Sequence, residues 1–88
     1  MKASKDFILR EIAGECILVP VGAAAAKFNG LITMNGIGTF IFRALEEEQT
    51  EESLLECILG EYEVSRETAR TDLLEFLKQM RDIGALEE

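Results

Sequence analysis

The chain has no histidine among its 88 residues. That removes the commonest general base and the commonest metal ligand. It has only two cysteines, Cys16 in a strand-like run and Cys57 in a helix-like run. A lone pair so spaced is not a metal site, and a reducing compartment disfavours a disulfide, so both read as small core or boundary residues. Cations are scarce: nine Lys and Arg stand against seventeen Asp and Glu, for a net charge of −8. Nucleic-acid affinity comes mostly from cations neutralising phosphates, so that partner is disfavoured. No apolar run approaches the ~20 residues that span a bilayer. Lys2 and Lys5 are followed by Asp6 rather than the apolar core of a signal peptide, which points to the cytoplasm. There is no Gly-x-Ser-x-Gly elbow and no phosphate loop. Asn35-Gly36-Ile37-Gly38 holds a lone GxG without the third glycine of a dinucleotide fingerprint. The acids Glu46, Glu47, Glu48, Glu51 and Glu52 lack calcium-loop spacing and read as a solvated face. No catalytic, cofactor-binding or metal-ligating residue emerges, and the chain does not read as an enzyme.

What is present is a foldable pattern. Hydrophobic residues make up 48% of the chain, which argues against disorder. A chain this long buries roughly 60–65% of its unfolded surface, enough for one core and one domain over 1–88. Residues 7–12 (FILREI) and 15–21 (ECILVPV) read as strands joined by Ala13-Gly14, a hairpin. The single proline, Pro20, cannot donate to a ladder and belongs at a strand end or edge. Residues 22–27 (GAAAAK) are too short for a stable helix alone and read as a loop. Residues 28–34 (FNGLITM) form the next strand. Asn35-Gly36 is a hairpin signal, but residues 43–48 are poor strand material. A helix capped by Asn35 and ending near residues 45–47 is therefore preferred, with Ile37, Phe40, Ile41, Ala44 and Leu45 on one face. Thr50 caps a further helix whose inner face is Leu54, Leu55, Ile58, Leu59 and Tyr62. Leu86, in the tail at 85–88, is placed to fold back on the core. Strands followed by helices without alternation indicate an α+β fold.

The last helix, residues 65–84, is the most informative stretch. Ala69, Leu73, Phe76, Leu77, Met80 and Ile83 recur at helical spacing, with Ser65 as N-cap and Gly84 as stop. At ~3.6 residues per turn, Arg70, Leu74, Lys78 and Arg81 share one flank, with Arg66 just inside it, and Asp72, Glu75 and Asp82 share the other. One reading is a solvated helix with ion pairs and a stray leucine. The other is a docking surface for an acidic, partly apolar peptide.

The ordered set Leu9-Arg10-Glu11-Ile12, Gly14-Glu15, Ile17-Leu18-Val19-Pro20, Asn29-Gly30-Leu31-Ile32, Met34-Asn35, Glu61-Tyr62, Asp72 to Leu77 and Gly84-Ala85-Leu86 resembles the coenzyme PQQ synthesis protein D (PqqD) family, the stand-alone form of the RiPP recognition element. The resemblance covers nearly the whole chain. It departs at Glu48-Gln49, where the family often has Asp-Gly before the helix-opening Thr. The resemblance implies a winged-helix-like fold, a three-stranded antiparallel sheet followed by three helices. It implies an adaptor without chemistry or cofactor, which captures the leader of a ribosomally made precursor peptide and presents it to a radical-SAM modifying enzyme. The leader would add as a strand beside Leu31, Ile32, Thr33 and Met34, with Arg70, Leu74, Lys78 and Arg81 facing its side chains. That strand is β-prone and uncharged, so its edge lacks the usual protective lysines. Two rivals stay open: a winged-helix DNA-binding regulator, and a module that homodimerises through its exposed edge strand.

Overall fold

The computed structural model describes residues 1–27 and 30–88. Its elements run β1 (Lys2–Ala3), β2 (Phe7–Ile12), β3 (Glu15–Pro20), α1 (Ala23–Lys27), β4 (Ile32–Met34), α2 (Gly36–Ala44), α3 (Glu51–Glu61), α4 (Arg66–Asp82) and β5 (Leu86–Glu87). This is the expected α+β order: an antiparallel sheet of order β2-β3-β4, followed by three longer helices. Three features add to or correct the sequence reading. The GAAAAK segment, expected as a loop, contains the short helix α1, entered through Gly22 at φ 58°. Lys2 and Ala3 pair with Glu87 and Leu86 as a second, two-stranded sheet. Pro20 closes β3, so the strand stops one residue earlier than expected. The first two residues of the expected strand at 28–34 lie outside the described residues.

Local chemistry explains the elements. Ala13 (φ 53°) and Gly14 (φ 83°) both have positive φ, which matches the right-handed twist of the strands they join. The competition at Asn35-Gly36 is resolved in favour of the helix: Asn35 Oδ1 accepts the Gly38 N–H at 2.7 Å. Thr50 and Ser53 form a reciprocal capping box on α3, and Ser65 caps α4 by accepting from the Thr68 N–H at 3.1 Å. Truncating such a cap costs about 0.5–2 kcal/mol. Gly84, at φ 79°, ends α4 in the left-handed region that glycine enters without penalty.

Two apolar clusters lie back to back. In one, Ile41 and Leu45 of α2 and its exit meet Leu54, Leu55 and Ile58 of α3 and Ala69, Leu73 and Leu77 of α4. In the other, the inner face of the sheet (Phe7, Leu18, Met34) closes on Phe42, Met80 and Ala85. Phe76 and Leu86 pack against both, so Leu86 does fold back as expected. α4 is therefore the wall shared by the helical and sheet halves. Of the two cysteines, both free, Cys16 is half-buried and Cys57 is exposed on α3.

Candidate functional site

β4 is an edge. It pairs with β3 through Cys16↔Met34, Ile17↔Thr33 and Leu18↔Ile32, and no strand lies on its other side among the described residues. The register shows which backbone groups that edge presents. Antiparallel neighbours alternate between hydrogen-bonded and non-bonded pairs. The Val21 N–H donates to Asp6 C=O at 2.7 Å, so Val21 points toward the β2 side. Counting back by twos, Val19 and Ile17 point the same way, while Leu18 and Cys16 point to β4. Ile32 and Met34 are then the residues bonded to β3. Thr33 N–H and C=O face outward, toward the open side, and Leu31, 60% exposed, continues that parity.

The space beside this edge is a groove, and α4 is its far wall. One hollow, of about 90 Å³, is lined by Ile32, Thr33, Met34, Asn35, Gly38, Phe76, Gln79 and Met80. The adjoining one, of about 210 Å³, is lined by Asn35, Ile37, Asp72, Glu75, Phe76 and Gln79. Phe76 is the floor common to both. Its ring lies close over Gly38: a Cβ there would stand 3.2 Å from Phe76 Cε1 and 3.0 Å from Asn35 Oδ1. The position is therefore one where the lack of a side chain decides the packing.

The basic flank of α4 is elsewhere. Arg70 is bound to Glu52 of α3 at 3.3 Å, beside the Arg66–Glu56 pair at 2.8 Å, so this flank faces α3. Lys78 pairs with Asp82 on its own helix at 3.2 Å. Arg81 meets Glu88 at 2.9 Å and lines a different cavity with Asp6, Phe7 and Lys27. The hydrogen bond from Arg81 holds the Glu88 carboxyl below its ordinary range and raises the guanidinium in turn. Leu74 is 42% exposed on the same side. Of the eight residues expected at a peptide site, Ile32, Thr33 and Met34 line the groove and Leu31 lies at its end. Arg70, Leu74, Lys78 and Arg81 line neither hollow. The resemblance set them facing the peptide, and a helical wheel separates two flanks without saying which one meets β4. The hollows beside β4 are lined instead by Asn35, Phe76, Gln79 and Met80, together with Asp72 and Glu75. No cluster of three or more His, Cys, Asp or Glu side chains suited to a metal occurs among the described residues. No helix there is long and apolar enough to cross a membrane.

Comparison with known proteins points in the same direction. The model of the family described as coenzyme PQQ synthesis protein D (PqqD) matches residues 8–86. The structure of TbiB1 in complex with the TbiA(beta) leader peptide is similar to this one, with TM-score 0.78 and 28% identity, over 99% of this chain and 95% of that one. A lasso peptide synthetase B1 complexed with the leader peptide shares the fold, with TM-score 0.76 and 14% identity, over 99% and 96% of the two chains. No curated protein matches the chain.

Proposed function

The chain belongs to the coenzyme PQQ synthesis protein D family, and on that premise we propose that it is a peptide-binding adaptor that captures the leader of a ribosomally made precursor peptide. Capture is by strand addition: the leader pairs with the open edge of β4 and lays alternate side chains against α4. The observation that carries this reading is that edge itself, with Thr33 N–H and C=O directed into an apolar-floored groove. Backbone pairing supplies affinity, and the side-chain hollows supply selectivity. A neighbour of this fold, 28% identical, is itself a leader-peptide complex.

In this reading residues 31–34 provide the ladder, and Asn35, Phe76, Gln79 and Met80 provide the wall. Arg70, Leu74, Lys78 and Arg81 lie on the helix flank away from the peptide. The adaptor performs no chemistry. It acts as one recognition unit over residues 1–88, in the cytoplasm, and hands the bound precursor to a modifying enzyme, which we propose to be of the radical-SAM class.

The test is a selection of displayed random peptides of about ten residues, the upper range of a strand, against the wild type and against Thr33→Pro. Thr33→Pro removes the outward N–H while leaving the β3 ladder bonds of Ile32 and Met34 in place. Peptides enriched on the wild type should lose at least about tenfold in affinity for the variant, equal to ~1.4 kcal/mol. Amide exchange at Leu31 and Thr33 should slow on binding. Enriched peptides that bind both proteins alike would remove strand addition from consideration. Self-association through the same edge would appear in light scattering as a dimer that added peptide dissolves.

A further inference from the structure

The two hollows of the groove differ in charge, and that difference says what kind of leader fits. Met80, Phe76 and Asp72 succeed one another at four-residue steps along α4, each about 6 Å from the next. The hollow at the Met80 end is uncharged, lined by the apolar Ile32, Met34, Phe76 and Met80 and by the polar Thr33, Asn35 and Gln79. The hollow at the other end carries Asp72 and Glu75, with Asn35 and Gln79 between. No lysine or arginine lines either hollow. Asp72 and Glu75 are exposed and enter no ion pair among the described residues. The cations of α4 are bound to Glu56, Glu52, Asp82 and Glu88. The acids on the groove side are thus left to whatever enters the groove.

A strand added at β4 has a fixed alternation. Side chains level with Ile32 and Met34 point inward with them, to α4, and those level with Thr33 point to the outer face of the sheet. Successive inward positions are two residues, or ~6.6–6.8 Å, apart. That spacing is close to the ~6 Å four-residue step of α4. A strand running along α4 that sets one inward side chain over Phe76 and Met80 sets the next, two residues along, beside Asp72 and Glu75. The first environment accepts an apolar group. The second attracts a cation and repels a carboxylate, and such repulsion is an ordinary source of specificity.

Resting on the adaptor reading, we infer that this groove selects leader segments carrying an apolar side chain and, two residues along, a lysine or arginine, and that it rejects segments with an acid there. The acidic leader expected from the basic stripe is the wrong sign for this wall.

The experiment compares two fluorescein-labelled strand peptides, identical except for Lys or Glu two residues from a central Leu, by anisotropy at low salt. Exposed charge pairs are individually weak. Exchanging attraction for repulsion against two acids should separate the peptides by about tenfold in favour of Lys. The gap should shrink in ~1 M salt, where the Debye length falls to ~3 Å. Asp72→Lys with Glu75→Lys should reverse the preference, and Asp72→Asn with Glu75→Gln should close the gap. Glu61→Lys with Glu63→Lys changes net charge equally on the α3 side and should leave the preference in place. Circular dichroism confirms folding of each variant. Equal binding of the two peptides, a preference for Glu, or a gap abolished equally by the α3-side control overturns the inference while strand addition stands. If neither peptide binds the wild type and Thr33→Pro makes no difference, strand addition fails and the inference falls with it.

Discussion

Arg70 and Asp72 stand two residues apart on α4 and about 200° apart around its axis. Arg70 is held against Glu52 of the neighbouring helix. Asp72 lines the groove beside β4 and enters no ion pair among the described residues. The cationic flank meets acids from α3, from α4 itself and from Glu88. Of the acids on the other flank, Asp82 is paired with Lys78, while Asp72 and Glu75 line the groove and enter no ion pair among the described residues. A charged stripe read from a helical wheel does not say whether the chain itself supplies the counter-ions.

Four substitutions would sharpen or break this contrast. The largest effect is expected from Leu77→Ala. Leu77 is fully buried in the seam between the flanks, and truncating it should cost about 2–5 kcal/mol in urea unfolding. Because both flanks depend on the same seam, peptide binding should fail together with the fold. Next comes Ile32→Pro set against Thr33→Pro. Ile32 lies on the ladder side of β4, so its proline should lower stability by about 1–3 kcal/mol through the unpaired Leu18 carbonyl, while Thr33→Pro should lose peptide affinity at a smaller stability cost. Equal urea midpoints for the two variants would show that the outward parity assigned to Thr33 is wrong. Third, Arg70→Glu sets a carboxylate opposite Glu52 of α3, yet the pair is solvent-exposed. Stability should fall by no more than about 1 kcal/mol, and the Lys-over-Glu peptide preference should persist. A loss of that preference as large as from Glu75→Lys would return the basic flank to the binding site.

The smallest effect concerns pH. The carboxyl of Glu88 is lowered by its hydrogen bond from Arg81. Its folded pKa lies below the unfolded one, so its contribution is complete above the usual glutamate value of 4.5 and is lost as pH falls through the lowered value. Glu88→Gln should therefore differ slightly from the wild type at neutral pH and match it in acid, as read from urea midpoints across pH. A difference that grows on acidification would contradict the pairing.

Much of this architecture was legible. Alternation marked β2 and β3, and the three-and-four spacing marked α3 and α4, because each segment is long enough to show a period. The strand at 32–34 was legible as β-prone and uncharged. Asn35-Gly36 could be resolved only by the character of residues 37–48, since the same dipeptide serves a hairpin or a helix cap. Lys2–Ala3 and Leu86–Glu87 were not legible as strands, because two residues carry no periodicity. α1 was missed for a related reason: a five-residue alanine run has too little intrinsic stability to announce a helix. The site was legible only in part. Periodicity fixes angles around α4, but only the sheet order and the ion pairs to α3 decide which angle looks at β4.

Gly38 gives the groove an unusual point of control. It lies beneath Phe76, inside α2, and offers a peptide no side chain to grip, yet its missing methyl is what lets the ring sit low. Gly38→Ala would favour the helix by up to ~1 kcal/mol on intrinsic propensity while lifting the aromatic floor by a few tenths of an ångström. Recognition and folding are set against each other at one carbon atom, so the depth of the apolar hollow is adjustable from below while every side chain that meets a ligand keeps its identity.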